Sequence, residues 1–381
     1  MVEHSDTELE QLMETAWATQ DPVERAVAWE HACLRARTES NNDDLAVCLS
    51  ELVELYLAER HTQAAIVCFD ELVELYLNQD LEQRVYFARV ICRNFKHIIH
   101  GQLDNPDVSV AKLHILLERY RHILERSSNT LSDYYLRTYY VRHCIGDYDG
   151  ALMAFEQWRS SRPDEHFGEC LCSVPAIEAE ILNQLGGAET AREVGEAALQ
   201  ENTGRCGEHR QDLEMTLIPA WLRSGQSDKI RRARRIHRKV LRRTLTTGAT
   251  PRRFVQHFEY YALLIDAGMS PKPRCGLWLL PTMLEELSAN ASQYDLMLGL
   301  AAAAGYLHRV PQQDRRIKLS LSANALPRIF TPALIHPTVA EAAKWCACNA
   351  LNIAKQYDHR PGLVRPHTVA DLKDRIFPRP I

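Results

Sequence analysis

Across the first 250 residues of this 381-residue chain, apolar side chains recur every three or four positions, and glycine and proline are sparse. Alternating apolar and polar runs are hard to find. That period belongs to the α-helix and leaves little room for strands. The spacing predicts helices over 6–19, 22–38, 43–58, 62–77, 81–100, 107–126, 131–144, 148–160, 166–184, 188–201, 208–224, 227–244 and 251–267. Four more follow over 274–289, 292–307, 338–357 and 368–376. Links between successive helices are short, which forces neighbours to run antiparallel. Two starts carry local signals: Asp21-Pro22 places an N-cap acid before a first-turn proline, and Thr368 with Asp371 is close to a capping box. The heptapeptide ELVELYL occurs at 51–57 and again at 71–77, one helix later, with Leu and Val on one face and Glu on the other. Matched apolar stripes on successive helices predict that those two helices face each other.

The segment 132–163 carries a more specific grid, with Tyr135, Gly146, Tyr148, Ala151, Phe155 and Pro163 at its marked places. This pattern resembles the tetratricopeptide (TPR) repeat. In that family an aromatic sits early in the first helix, a glycine turns the hairpin, and a small residue permits a close crossing. A second aromatic fills the gap, and proline closes the repeat. The resemblance continues partially elsewhere: Leu52, Tyr56, Ala65 and Phe69 fit over 46–77, but the turn glycine is replaced. Over 172–200, Gly186, Ala191 and Ala198 fit, with Gly195 where the aromatic belongs. Over 211–243, Leu217, Trp221 and Gly225 fit, with Arg234 at the aromatic place. The resemblance covers about half of the chain. It implies an all-α fold of antiparallel hairpins stacked into a right-handed superhelix, with a concave groove lined by the first helix of each pair. It places the repeats over 1–250 and a divergent helical cap over 251–381, where prolines become frequent. The family grid puts Asp133, Leu136, Tyr140 and His143 in the groove, followed by Ser173, Ala176, Glu180 and Asn183. A scaffold or adaptor that holds a protein or peptide partner there is the first functional expectation.

Charge supplies the second expectation. The segment KIRRARRIHRKVLRR, 229–243, holds nine cations and no acid: Lys229, Arg231, Arg232, Arg234, Arg235, Arg238, Lys239, Arg242 and Arg243. Ile230, Ala233, Ile236, Val240 and Leu241 form one helical stripe, so this segment is expected to pack on the core and turn its cations outward. The chain as a whole is at −5, while the first 80 residues alone hold 18 acids and four bases. The basic face would suit nucleic acid, a phosphate-bearing ligand, an acidic protein or the chain's own acidic N-terminal region. Self-association through such polarised ends is compatible with either expectation.

Other classes of function find little support in the residues. The Cys170/Cys172 and Cys346/Cys348 pairs have CxC spacing, which is not that of common zinc modules. His97 and His100 share a helix face, but Ile98 and Ile99 between them belong to a core. The HRPGLVRPH loop, 359–367, brings two His and two Arg together with no carboxylate or nucleophile at telling spacing. No phosphate-binding loop, dinucleotide fingerprint, nucleophile elbow or HExxH motif occurs. A non-enzymatic protein without cofactor or metal is therefore expected. The opening MVEHSDTELE lacks the basic-then-apolar order of an export signal. The longest uncharged apolar stretch, near 296–307, is about a dozen residues against the roughly 20 that span a bilayer. Both point to a cytoplasmic protein without membrane contact.

Overall fold

The structure, a computed structural model, describes residues 8–128, 130–164, 167–201, 207–247, 251–269, 276–290, 292–319 and 335–377. Among these there are seventeen α-helices and no strand, apart from an isolated antiparallel bridge between Arg316 and Thr338. The chain divides into two compact units, 1–169 and 170–381. The helix starting at Pro251 packs on helices both before and after it.

The first unit holds α1 (Glu8–Ala18), α2 (Pro22–Glu39), α3 (Asn42–Ala58), α4 (Thr62–Asn78), α5 (Arg84–Asp104), α6 (Val110–Ser127), α7 (Ser132–Cys144) and α8 (Tyr148–Ser160). Each helix packs against the next, and the next-but-one packings, α3 on α5 and α5 on α7, join odd-numbered helices. One continuous apolar core runs from Leu9 to Phe167. The repeated heptapeptide behaves as its pattern predicts: Leu52, Val53, Leu72 and Val73 are buried between α3 and α4, while Glu54 and Glu74 stay exposed. In the α7–α8 hairpin Ala151 and Phe155 are fully buried.

The α7–α8 and α3–α4 turns share one geometry. Gly146 closes α7 at φ 75°, and the Asp147 N–H donates back to the Arg142 carbonyl at 2.9 Å. The α3–α4 turn makes the same bond, from the His61 N–H to the Tyr56 carbonyl at 2.8 Å, with Arg60 at φ 62°. This is where the sequence replaces the turn glycine. A side chain in the left-handed region costs about 1–2 kcal/mol, part of which glycine returns through the entropy of the unfolded chain. Arg60→Gly is accordingly expected to stabilise the first unit by about 0.5–1 kcal/mol, read as a higher urea midpoint; a fall in the midpoint would show that the Arg60 side chain earns its place.

The second unit holds α9 (Val174–Gln184), α10 (Ala188–Gln200), α11 (Gly207–Arg223), α12 (Ser227–Thr247), α13 (Pro251–Asp266), α14 (Leu279–Asn290), α15 (Gln293–Arg309), α16 (Val339–Asp358) and α17 (Thr368–Ile376). Here too the next-but-one packings run through odd helices: α9 on α11, α11 on α13, α13 on α15 and α15 on α17. Small residues of α15 permit close packing: Gly299 faces Leu287 of α14 and Gly305 faces the backbone of α17 at Arg375 and Ile376.

Two local readings are corrected. Helix α9 begins at Val174 rather than near 166, because Pro175 fits only the first turn of a helix. Thr368 is not the cap of α17; the Asp358 carboxylate, from the end of α16, accepts from the N–H groups of His367, Thr368 and Val369 at 2.7–3.1 Å. Most of the stretch 320–337 lies outside the described residues.

Candidate functional site

The residues assigned to a groove are mostly spent inside the protein. Asp133 and Leu136 are buried on α7. Asp133 points inward because Arg137, one turn later, is itself buried and donates to it at 2.7 and 3.1 Å. The Tyr120 hydroxyl adds a 2.6 Å bond from α6, and the Glu169 carboxylate takes the other side of Arg137 at 2.5 Å. Burial works against the charge on Arg137, but Asp133 and Glu169 hold it protonated. Tyr140 and His143 are half-buried, with rings 5.4 Å from His100 and 5.6 Å from Tyr139 respectively. In the second unit Ser173 and Ala176 are buried, and the Ser173 hydroxyl donates to the Cys170 carbonyl. Glu180 pairs with Arg252, and Asn183 donates to the Thr216 carbonyl at 3.2 Å. Asp133, Leu136, Ser173 and Ala176 are therefore corrected from lining residues to interior ones. The family grid predicts which turn of the helix a residue sits on, but not whether a neighbour has already claimed it.

The basic segment is built differently. Ala233, Ile236, Val240 and Leu241 are buried, together with His237 and Thr244. This stripe seats α12 against α11 and α13. Each large apolar residue so buried contributes about 1.5–3 kcal/mol. Its cations fall into two groups. Those at the edges are tethered: Lys229 pairs with Glu196 at 3.1 Å, Arg232 with Glu214 at 3.8 Å, and Arg243 donates to the Gln211 amide oxygen at 3.2 Å. Arg232 also lies over the Trp221 ring, 4.6 Å from its centroid. Burial alone would raise the Glu196 carboxyl, yet the Trp221 indole N–H, Lys229 and Arg192 hold it below the usual range. A small recess, about 250 Å³, opens there between Glu196, Trp221, Lys229 and Arg232.

The second group is Arg231, Arg234, Arg235, Arg238, Lys239 and Arg242. All six are exposed, and none has a carboxylate partner among the described residues. At 100° per residue they occupy an arc of about 140°, and they span about 16 Å of helix axis. Within 231–243 every exposed residue is Lys or Arg. The unit that carries them has 29 Lys and Arg against 20 Asp and Glu, a net +9; residues 1–169 have 16 against 30, a net −14. The chain's overall acidity thus belongs to the other unit.

The chain matches no known protein family. No curated protein sequence matches it either. Among solved structures, one that it is similar to is described as a circular tandem repeat protein with novel repeat topology and enhanced subunit contact surfaces, 13% identical over 97% of this chain and 90% of that one, at a TM-score of 0.20. At that score nothing is carried over from it.

No group of three or more His, Cys, Asp or Glu side chains among the described residues is placed to hold a metal ion. Cys346 is buried and Cys348 exposed, as their spacing on α16 requires, and Cys170 and Cys172 are free thiols. In the 359–367 loop Arg360 is buried, stacked against Tyr357 with 5.8 Å between guanidinium and ring centroid, so this part of the loop is structural. No described helix is long and apolar enough to cross a membrane. Sequence reasoning found the basic face but missed the groups that tether its edge, Glu196, Glu214, Gln211 and Trp221, because they lie on α10 and α11. The Trp221 position on the repeat grid was the available signal.

Proposed function

We propose that this chain is a TPR-like helical-repeat scaffold that works by holding a negatively charged macromolecular partner, not by catalysis, and that the solvent face of α12 does the holding. The observation that carries this reading is the set of six exposed, unpaired cations between Arg231 and Arg242. Like charges held side by side on one face repel each other, so their own contribution to stability is unfavourable. A bound polyanion would relieve that repulsion. The TPR-like reading is supported by the packing of odd-numbered helices on one another in both units. Such packing forms one row of helices, and α12 belongs to the other row, where a helix keeps a free face.

The test is retention of the full chain on a heparin column, compared with a variant carrying Arg231→Glu, Arg235→Glu, Arg238→Glu and Arg242→Glu. The variant should elute far earlier and melt within about 0.5 kcal/mol of the parent, since exposed and unpaired side chains carry little folding energy. Equal retention of the two proteins would refute the reading.

A further inference from the structure

The composition of the α12 face says more than that its partner is negative. We infer that its occupant is a nucleic acid, bound along the phosphate backbone without regard to sequence. This rests on the reading that α12 is the docking face and names what docks.

Protein–protein interfaces have a desolvated centre that is depleted in charge and enriched in aromatic residues and Met, ringed by polar contacts. Their binding energy concentrates in a few side chains anchored in pockets. The α12 face has no such centre. Between residues 231 and 243 it presents only Arg and Lys; the next exposed apolar residue along the helix, Leu245, stands at the edge of this face, one turn past Arg242. An acidic protein laid on this face would have to desolvate cations with nothing apolar to offset the cost. A nucleic acid backbone requires no apolar centre, because its affinity comes from neutralising phosphates and releasing condensed counterions. Interfaces with nucleic acid are accordingly far more positive than those between proteins.

The geometry agrees with this. Arg231, Arg235, Arg238 and Arg242 lie within an arc of about 60° and succeed one another every 4.5–6 Å along the axis. Duplex DNA carries one charge per about 1.7 Å of axis, so the roughly 16 Å of this face meets about ten phosphates. Arginine forks pair bidentately with phosphate oxygens. The Arg238 Nε donates to the Arg234 carbonyl one turn back at 3.2 Å, which orients the guanidinium and leaves both terminal nitrogens for a ligand. No Asn or Gln is exposed between 231 and 243 to read a base edge, and phosphate contacts by themselves carry no sequence information. The +9 charge of the second unit attracts a polyanion to the unit that carries α12.

The experiment titrates the full chain against a short fluorescently labelled DNA duplex of mixed sequence, with polyglutamate of matched charge as competitor. With four phosphates neutralised, log K should fall against log salt with a slope of about −3.6, a loss of roughly 100-fold between about 50 and 200 mM salt. A scrambled duplex should bind equally well. The quadruple Glu variant should lose at least about 100-fold, and replacing any one of the four arginines with Gln should make the slope shallower by about one. Polyglutamate that displaces the duplex at equal charge would overturn the inference in favour of an acidic protein. Copies of the chain that associate through the acidic first unit, and that duplex cannot displace, would overturn it in favour of a second copy. Heparin retention that depends on α12, together with no duplex binding, would sink the nucleic acid while leaving the docking face standing; loss of both would remove the docking face as well.

Discussion

Replacing Arg137 with alanine should destabilise the first unit by about 3–5 kcal/mol, the cost of leaving buried charges without their partner. Arg137 and Asp133 have side chains only 2% and 5% exposed, and Glu169 is 17% exposed. The guanidinium binds both carboxylates at once, and Tyr120 donates to one of them from α6. The ring of Tyr120 stacks on Phe95 at 3.8 Å, so the network is fastened to the apolar core on its other side. Alanine leaves two carboxylates in the interior with one tyrosine hydroxyl and the more distant Lys96, 3.5 Å from Glu169. Burial would then push the Glu169 carboxyl up, and the unit should become less stable as pH rises through its new value. The intact protein has the opposite sign: Arg137 and Lys96 hold Glu169 below its ordinary 4.5, so that contribution is present above this pH and fades as pH falls. Urea midpoints at several pH values test both statements. A loss under about 1 kcal/mol, the scale of a surface pair, would mean that water reaches the network. Replacing Asp133, Arg137 and Glu169 together with Leu, Met and Leu should recover most of the loss, since a buried ion cluster is frequently exchangeable for apolar side chains.

The same network explains what could be read from the sequence and what could not. Helix positions were legible because an apolar stripe of period 3.6 has one stable solution, and ELVELYL on α3 and α4 shows it: Leu52, Val53, Leu72 and Val73 go to the core, Glu54 and Glu74 to solvent. The outward set of α12 was legible for the same reason. The groove was not, because Asp133 has the same residue type whether it faces solvent or an arginine one turn away. Its fate is decided by Tyr120 and Glu169, 13 and 36 residues distant, and no local pattern encodes them. The cap of α17 was missed likewise, since Asp358 reaches it across a loop where Thr368 offered a nearer candidate. Prolines mark where helices end, not where packing stops: α13 packs on both α11 and α15, so the odd-numbered row continues past the proline-rich stretch.

Beneath the basic face, α12 is joined to α13 by a pair of histidines, and the second unit should lose stability steeply on mild acidification because of them. His237 and His257 are both buried, with His257 Nδ1 3.0 Å from His237 Nε2. Thr244 Oγ1 lies 3.3 Å from the far nitrogen, His257 Nε2, and the His237 ring stacks on Tyr260 at 3.6 Å. One hydrogen lies between the two facing nitrogens whichever ring donates it, and a second proton there would break the contact. Burial pushes His257 down to about 3, helped by the charge of Arg253; burial and the neighbouring His257 push His237 well below its usual value. The unfolded chain binds these protons near pH 6.5, so it takes up more protons than the folded one throughout the interval down to about 3. Stability therefore rises with pH across that window and is complete above about 6.5. Each fully neutral buried histidine costs about 1.4 kcal/mol per pH unit below that value, or about 2–4 kcal/mol for the pair between about pH 7 and 5. A double variant, His237→Leu with His257→Leu, leaves no ring to protonate. Its unfolding free energy should be nearly flat over the same interval, while its binding to the labelled duplex at pH 7 stays within a few-fold of the parent. If the double variant shows the parent's pH slope, the acid sensitivity resides in other groups and this pair is only a packing element.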